Sequence, residues 1–204
     1  MKRALCPEPT ELPHFIGAWT IDPINICDDL IAYFESNESR QKQGQSAGGL
    51  DLDLKDSIDI SISPNELHYP QNKIFKDYFH ELLSCYRDYA IQWPFLNSFA
   101  EEVDIGRFNI QRYRSGQHYQ RLHTERSSLT SLHRLFAWMT YLNDVDSANG
   151  GATVFDHYGI RFQPQKGLTL IWPAEWTHAH FGSKLNAGSK YIITGWMQFP
   201  LPES

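Results

Sequence analysis

The hydrophobic pattern of this chain changes character about halfway along. In residues 22–36, DPINICDDLIAYFES, the apolar positions Ile24, Cys27, Leu30, Ile31 and Phe34 recur at helical spacing. Positions three and four apart share a helix face, so the run predicts an amphipathic helix, with Asp22 as N-cap and Pro23 at the first helical position. The following NESRQKQGQSAGGLD is polar and contains glycine, which predicts a mobile loop. DSIDISI at 56–62 alternates polar residues with isoleucine, the pattern of a half-buried strand. After Pro70, a stripe of Ile74, Phe75, Tyr78, Phe79, Leu82, Leu83 and Tyr86 predicts a second helix over roughly 71–90, and such a stripe belongs to a core. From residue 105 onward the texture becomes short apolar segments between glycine, asparagine and proline: RFNIQRY, LFAWMTYLN, GATVF, IRF, LTLIW and KYIITGWMQF.

Strands of that density without helices between them imply a mainly β fold, a sandwich or jelly roll, with the two helices packed outside the sheet. The length of 204 residues and a hydrophobic content of 41% suit one domain with one sizeable core. Residues 1–104 form its helical and strand support and residues 105–199 its β core. A net charge of −6 gives no overall attraction to nucleic acid or anionic membranes. Charge nevertheless clusters: Arg107, Arg112, Arg114, Arg121, Arg126 and Arg134 fall in one stretch with Glu125 as its only acid. A solvated strand face accounts for that, and so does a positive approach to a site for anions. Cys6, Cys27 and Cys85 are odd in number and far apart, which suggests neither a disulfide framework nor a zinc site and fits a reducing cytoplasm. The start, MKRALCPEPTELPHF, has no apolar core of a secretory signal, and no stretch is long enough to span a membrane.

Against this background YRSGQHYQRLHTERSS places His123 and Glu125 two apart at the end of a predicted strand. Alternation would turn both to one side, where they could meet a metal ion. Taken alone, H-x-E is a weak signal. Further on, WTHAHFG offers His178 and His180 as a second imidazole, both on one face if the segment is extended. In KYIITGW, alternation puts Lys190, Ile192, Thr194 and Trp196 on one face. A buried cation and hydroxyl there would be costly unless an anion met them.

Several pieces in order, YRSGQHYQRLHTE, Arg134 followed by LFAWMTYLNDV, GGATVF, PQKG with LTLIWP, and HFGSKLNAGSKYIITGW, resemble the prolyl 4-hydroxylase-like branch of the Fe(II)- and 2-oxoglutarate-dependent dioxygenases. The likeness covers about residues 105–199. It implies a double-stranded β-helix, the cupin-like barrel of that family, holding Fe(II) and using 2-oxoglutarate as cosubstrate with O2. It assigns His123, Glu125 and a distal histidine to the iron. In the family that histidine precedes the oxoglutarate-binding lysine by about ten residues, which selects His180 over His178. Lys190 would then pair with the far carboxylate of oxoglutarate and Thr194 would donate a hydrogen bond to it. Trp196 would line the approach to the metal, and Tyr113 and Tyr141 would line the oxoglutarate pocket. Aspartate is the family's usual carboxylate, so Glu125 is a departure, while the presence of any carboxylate there favours hydroxylation over halogenation.

The implied reaction is hydroxylation of a C–H bond on a prolyl or other amino-acid residue of a protein or peptide, or on a small molecule, with release of succinate and CO2. Two rivals stand beside it. A nucleic-acid demethylase on the same barrel is motivated by the arginines, but such enzymes carry a further arginine near the end of the last strand, and MQFPLPES has none. A non-enzymatic cupin-like metal-binding protein would have no need of Lys190 and Thr194. Oligomeric state is not legible in the sequence.

Overall fold

The computed structural model describes residues 13–46 and 48–200, so Cys6 and the N-terminal stretch inspected for a leader lie outside the described residues. The strands of the support region are β1 (Gly17–Thr20), β2 (Lys42–Gln43), β3 (Ile58–Ile62) and β4 (Asp104–Ile105). Those of the β core are β5 (Phe108–Arg114), β6 (Tyr119–His123), β7 (Arg134–Tyr141), β8 (Thr153–Phe155), β9 (Ile160–Phe162), β10 (Leu168–Pro173), β11 (His180–Gly182) and β12 (Ser189–Gln198). They make two antiparallel sheets: a large one ordered β1-β10-β7-β12-β5-β3-β2, with β4 on the end of β12, and a small one ordered β6-β11-β8-β9. Two facing sheets of this order are the double-stranded β-helix that the sequence implies.

Each face of the large sheet has its own partner. On β7 and β12, Phe136, Trp138, Ile193 and Met197 belong to a core shared with the helices, whereas Ala137, Met139, Tyr141 and Ile192 belong to a second core between the sheets. This is why LFAWMTYL is apolar at every position but Thr140, whose buried hydroxyl is paired with Tyr78 and Thr169: a strand covered on both faces loses the alternation of a half-exposed one. The helices α1 (Ile26–Ser36) and α2 (Lys73–Gln92) cover the outer face. On α2 the buried residues include Phe75, Tyr78, Phe79 and Leu82, the middle of the predicted stripe. On α1, Cys27, Leu30 and Phe34 are buried.

Three local expectations are corrected. Helix α1 is capped at Asn25 rather than Asp22, and Ile24 is 45% exposed before its first turn, so Pro23 belongs to the turn that enters the helix. The stretch predicted as a loop after α1 holds a turn of 3-10 helix at Glu38–Arg40 and the short strand β2, paired to β3 through Lys42↔Asp59 and Gln43↔Ile58. On β3 the isoleucines Ile60 and Ile62 are buried against the helices as alternation predicts, but Asp59 is buried too, because Lys55, Ser57 and Gln111 cover it on the opposite face, where Ser61 stays exposed.

Phe75 has no exposed surface and meets the rings of Tyr33 and Phe108 edge-on at 4.8 and 5.2 Å. It ties α2 to α1 and to β5. Phe75→Ala should lower stability by about 3–5 kcal/mol, seen as an earlier urea midpoint. A midpoint within error of the parent would show that the helices do not brace the sheet through this residue.

Candidate active site

Strand register, rather than sequence proximity, assembles the site. On the small sheet β11 runs antiparallel to β6 with His180 directly opposite His123. Their rings lie 4.4 Å apart between centroids. Glu125 comes one bend after the end of β6, so alternation along a strand is not what aims it. Two tethers do: the Thr124 hydroxyl donates to the carbonyl of Ala174 at 2.8 Å, and Arg134 Nη1 donates to the carbonyl of Glu125 at 3.0 Å. Glu125 Oε1 ends 3.4 Å from His180 Nε2 and 3.9 Å from His123 Nε2. One ligand atom from each of the three residues falls within 4.8 Å of the others.

The imidazoles are held in one tautomer. His123 Nδ1 lies 2.7 Å from the carbonyl of Arg121, and His180 Nδ1 lies 2.9 Å from that of His178. A carbonyl only accepts, so each Nδ1 carries the proton and each Nε2 presents a lone pair toward Glu125. Burial, helped by the neighbouring His180, pushes His123 down to about 4. Burial alone would raise Glu125, but the two neighbouring histidines and the Trp196 N–H outweigh it and hold the carboxyl at about 2. Two imidazole nitrogens and a carboxylate thus converge on one point, a donor set suited to a cation. Imidazole and carboxylate without thiolate, with three ligands on one side, suit Fe(II) rather than a structural zinc.

The same three residues line a cavity of about 730 Å³ between the sheets, and Lys190 lines it as well. Its side chain is buried, and its Nζ donates to the carbonyl of Gly151 at 2.9 Å and stands 4.4 Å over the ring of Tyr113. Gly151 can offer that carbonyl because its φ of +75° is open to glycine. No carboxylate pairs with Lys190 among the described residues. Burial alone lowers this ammonium to about 8. An unneutralised cation at the wall of a cavity, facing a cluster of metal-binding atoms, is a seat for a molecule that bridges the two with anionic ends.

The predicted residues divide into those at the cavity and those behind it. His123, Glu125, His180, Lys190, Tyr113, Thr194 and Trp196 all line it. Tyr141 does not: its hydroxyl is 2.7 Å from Thr153 Oγ1 and 3.2 Å from the carbonyl of Phe162, so it buttresses the wall from the core. Thr194 is on the predicted face, but its hydroxyl donates to the carbonyl of Trp138 at 2.8 Å, which leaves lone pairs and no proton for an anion. His178 is turned away, because WTH is a turn of 3-10 helix rather than extended chain. Its Nε2 lies 2.8 Å from the carbonyl of His14 and its Nδ1 3.0 Å from the Thr177 hydroxyl.

Sequence reasoning missed two features. The Trp196 indole N–H donates to Glu125 Oε2 at 2.6 Å and so orients the carboxylate as well as lining the approach. A buried Lys55–Asp59 pair at 2.6 Å, joined by Gln111 to the Tyr113 hydroxyl, forms part of the wall. Of the six arginines, Arg112 pairs with Glu35 and Arg126 with Glu175, while Arg121 and Arg134 line the cavity.

Three candidate metal ligands thus share one cavity with a buried ammonium that no carboxylate of the described residues pairs. Residues 108–198 match the family model of the 2OG-Fe(II) oxygenase superfamily, and the match supports a 2-oxoglutarate-dependent hydroxylase that uses Fe(II), 2-oxoglutarate and O2. The chain's fold is that of the prolyl 4-hydroxylases. A Pseudomonas putida prolyl-4-hydroxylase superposes with a TM-score of 0.69 at 16% identity, covering 92% of this chain and 94% of that one. A viral collagen prolyl hydroxylase from Paramecium Bursaria Chlorella virus-1, in its 2OG complex, gives 0.61 at 17% identity, covering 91% and 97%. A Trichoplax adhaerens prolyl hydroxylase in complex with a hypoxia inducible factor peptide fragment gives 0.68 at 15% identity, covering 91% and 84%. No curated protein matches the chain.

Because the Trp196 N–H is the side-chain hydrogen bond to Glu125 Oε2 among the described residues, with Arg134 Nη1 farther off at 4.0 Å, Trp196→Phe should weaken Fe(II) binding by about 10–100-fold while leaving the fold intact. Anaerobic titration against a chromophoric chelator measures this. Parental affinity would mean that the carboxylate needs no such orientation.

Proposed function

We propose that the protein is a 2-oxoglutarate-dependent hydroxylase in which His123, Glu125 and His180 hold Fe(II), Lys190 holds the far carboxylate of oxoglutarate, and the acceptor is a C–H bond of an amino-acid residue within a peptide. The observation that carries the reading is the buried ammonium of Lys190, unpaired by any carboxylate among the described residues and sharing one cavity with three convergent metal-binding side chains.

When bound, the iron and oxoglutarate supply the oxidising chemistry, in which oxoglutarate becomes succinate and CO2 and one oxygen atom enters the substrate. The chain's own share is binding, orientation and exclusion of water. The carbonyls of Arg121 and His178 hold the two imidazoles in the ligating tautomer, and Trp196 fixes Glu125. Lys190 gives the cosubstrate its direction, since its ammonium attracts the carboxylate that the metal does not take. The ring of Tyr113 closes one side of that seat. Trp172 and Phe155 pack on His180 at 5.1 and 5.4 Å and keep the apolar side of the site dry. The peptide acceptor is supported by the Trichoplax neighbour, whose structure contains a peptide fragment, and by the open groove described below. The decisive experiment is incubation of the Fe(II) protein with oxoglutarate and peptides. It should yield succinate and a product heavier by one oxygen.

His180→Ala should abolish Fe(II) binding and succinate formation, whereas His178→Ala should keep most of both, because His178 is occupied with His14. The opposite outcome would exchange their roles. Lys190→Ala should still bind Fe(II) but need about a hundredfold or more oxoglutarate, the cost of leaving a buried charge unpaired.

Oxoglutarate affinity should also depend on pH in a set direction. Burial holds Lys190 at about 8, so the ammonium is present below that pH and the affinity is flat there. Above it, binding must recapture a proton and the affinity should fall. Affinity that rises with pH between neutrality and 9 would contradict a cationic seat.

A further inference from the structure

Beside the cavity lies a groove of about 750 Å³ that shares Gln45, Asn109, Arg134 and Trp196 with it, so one extended ligand can occupy both. The basic side chains on the groove are Arg40, Lys42, Arg107 and Arg134, and its only acid, Asp59, is buried and already paired with Lys55 at 2.6 Å. Two of the four are engaged. Arg40 pairs with Glu66 at 2.8 Å, and Arg134 covers the ring of Trp196 at 3.6 Å while donating to the Glu125 carbonyl. Lys42 and Arg107 are exposed and form no ion pair among the described residues. Arg121 adds a further exposed cation on the cavity wall. Three exposed cations without an ion pair among the described residues thus lie along the cavity and its groove in a chain of net charge −6.

Building on the hydroxylase reading, we infer that the groove selects acidic peptides, in which an aspartate or glutamate near the hydroxylated residue meets Lys42 and Arg107. The side-chain amide of Gln45 and the Nδ2 of Asn109 along the wall suit the hydrogen-bonding groups of a peptide backbone, while Gln43 is held by Asp56 and Ser57. β2, which carries Lys42, ends the strand order of the large sheet, so one of its edges has no partner strand among the described residues. A peptide can add to such an edge. A nucleic acid would call for bare aromatic faces on which bases stack, but the groove's one aromatic residue is Trp196, already covered by Arg134. The complementarity contributes selectivity and capture rate more than tight binding, since each exposed pair is weak.

The test uses the full chain with Fe(II) and oxoglutarate, and compares two randomised peptide pools, one rich in Asp and Glu and one rich in Lys and Arg, with a single-stranded oligonucleotide. Fluorescence anisotropy reads binding, and succinate formed with and without peptide reads turnover. The acidic pool should bind more tightly than the basic pool by about tenfold, with the margin shrinking as salt shortens the screening length below about 10 Å. The double variant K42E/R107E should reverse the preference and leave peptide-free succinate formation unchanged, since neither residue touches the metal or the oxoglutarate seat. Equal binding of the two pools, an unreversed preference in the double variant, or preferential binding of the oligonucleotide each overturns the inference. Absence of peptide-free succinate counts against the hydroxylase reading alone, because anisotropy still reports the charge preference.

Discussion

A lysine buried between two sheets with one carbonyl for a partner destabilises the chain that contains it, and much of this structure is arranged around that cost. Lys190 lies buried near the start of β12 on the cavity wall, in a sheet whose outer face is covered by helix-packed aromatics. A group in that position would ordinarily be neutralised by a carboxylate of the chain, as Lys55 is by Asp59. The missing partner is supplied in the oxoglutarate reading by the cosubstrate, which makes the folded state incomplete until the ligand binds. Folding stability given up at this point becomes binding specificity.

The complementary half of the site is built on the opposite sheet by a different device. Cross-strand register sets His180 against His123, and backbone carbonyls use up one nitrogen of each ring so that the other is available. Two imidazole nitrogens and a carboxylate brought within 4.8 Å of one another form a donor set suited to a cation. In the proposed reading the large sheet contributes the anion seat and the small sheet most of the metal site, and the aromatic side chains packed on His180 would exclude water that weakens such contacts.

The elements with strong period were legible in the sequence, and so were residues whose chemistry is unusual for their place. The strands of the β core follow from their apolar runs, and Lys190 was identifiable because a cation at a core-facing position is anomalous. Hidden features depended on which side of a sheet turns inward. Asp59 has the pattern of an exposed polar residue until Lys55, Ser57 and Gln111 are seen to close over it. Tyr141 and Thr194 lie on inward-facing strand positions, yet their hydroxyls are taken by Thr153 and by the Trp138 carbonyl, a matter of rotamer that no spacing reports. His178 and His180 were separable by likeness to a family, but the physical reason is a turn of 3-10 helix that breaks the alternation between them. The hold of Trp196 on Glu125 joins residues 71 positions apart and needed the fold to be seen.

The central claim is that Lys190 waits as a cation for the far carboxylate of oxoglutarate, and its ammonium can be watched directly. Labelling lysine side chains with carbon-13 at Cε and assigning Lys190 by substitution would allow its titration to be followed by NMR with Zn(II) in place of iron. Free protein should show a midpoint near the value of about 8 set by burial, and added oxoglutarate should move it upward, because the carboxylate stabilises the charged form. A midpoint that does not respond to oxoglutarate, or that falls, would show that the cosubstrate is held elsewhere and contradict the account.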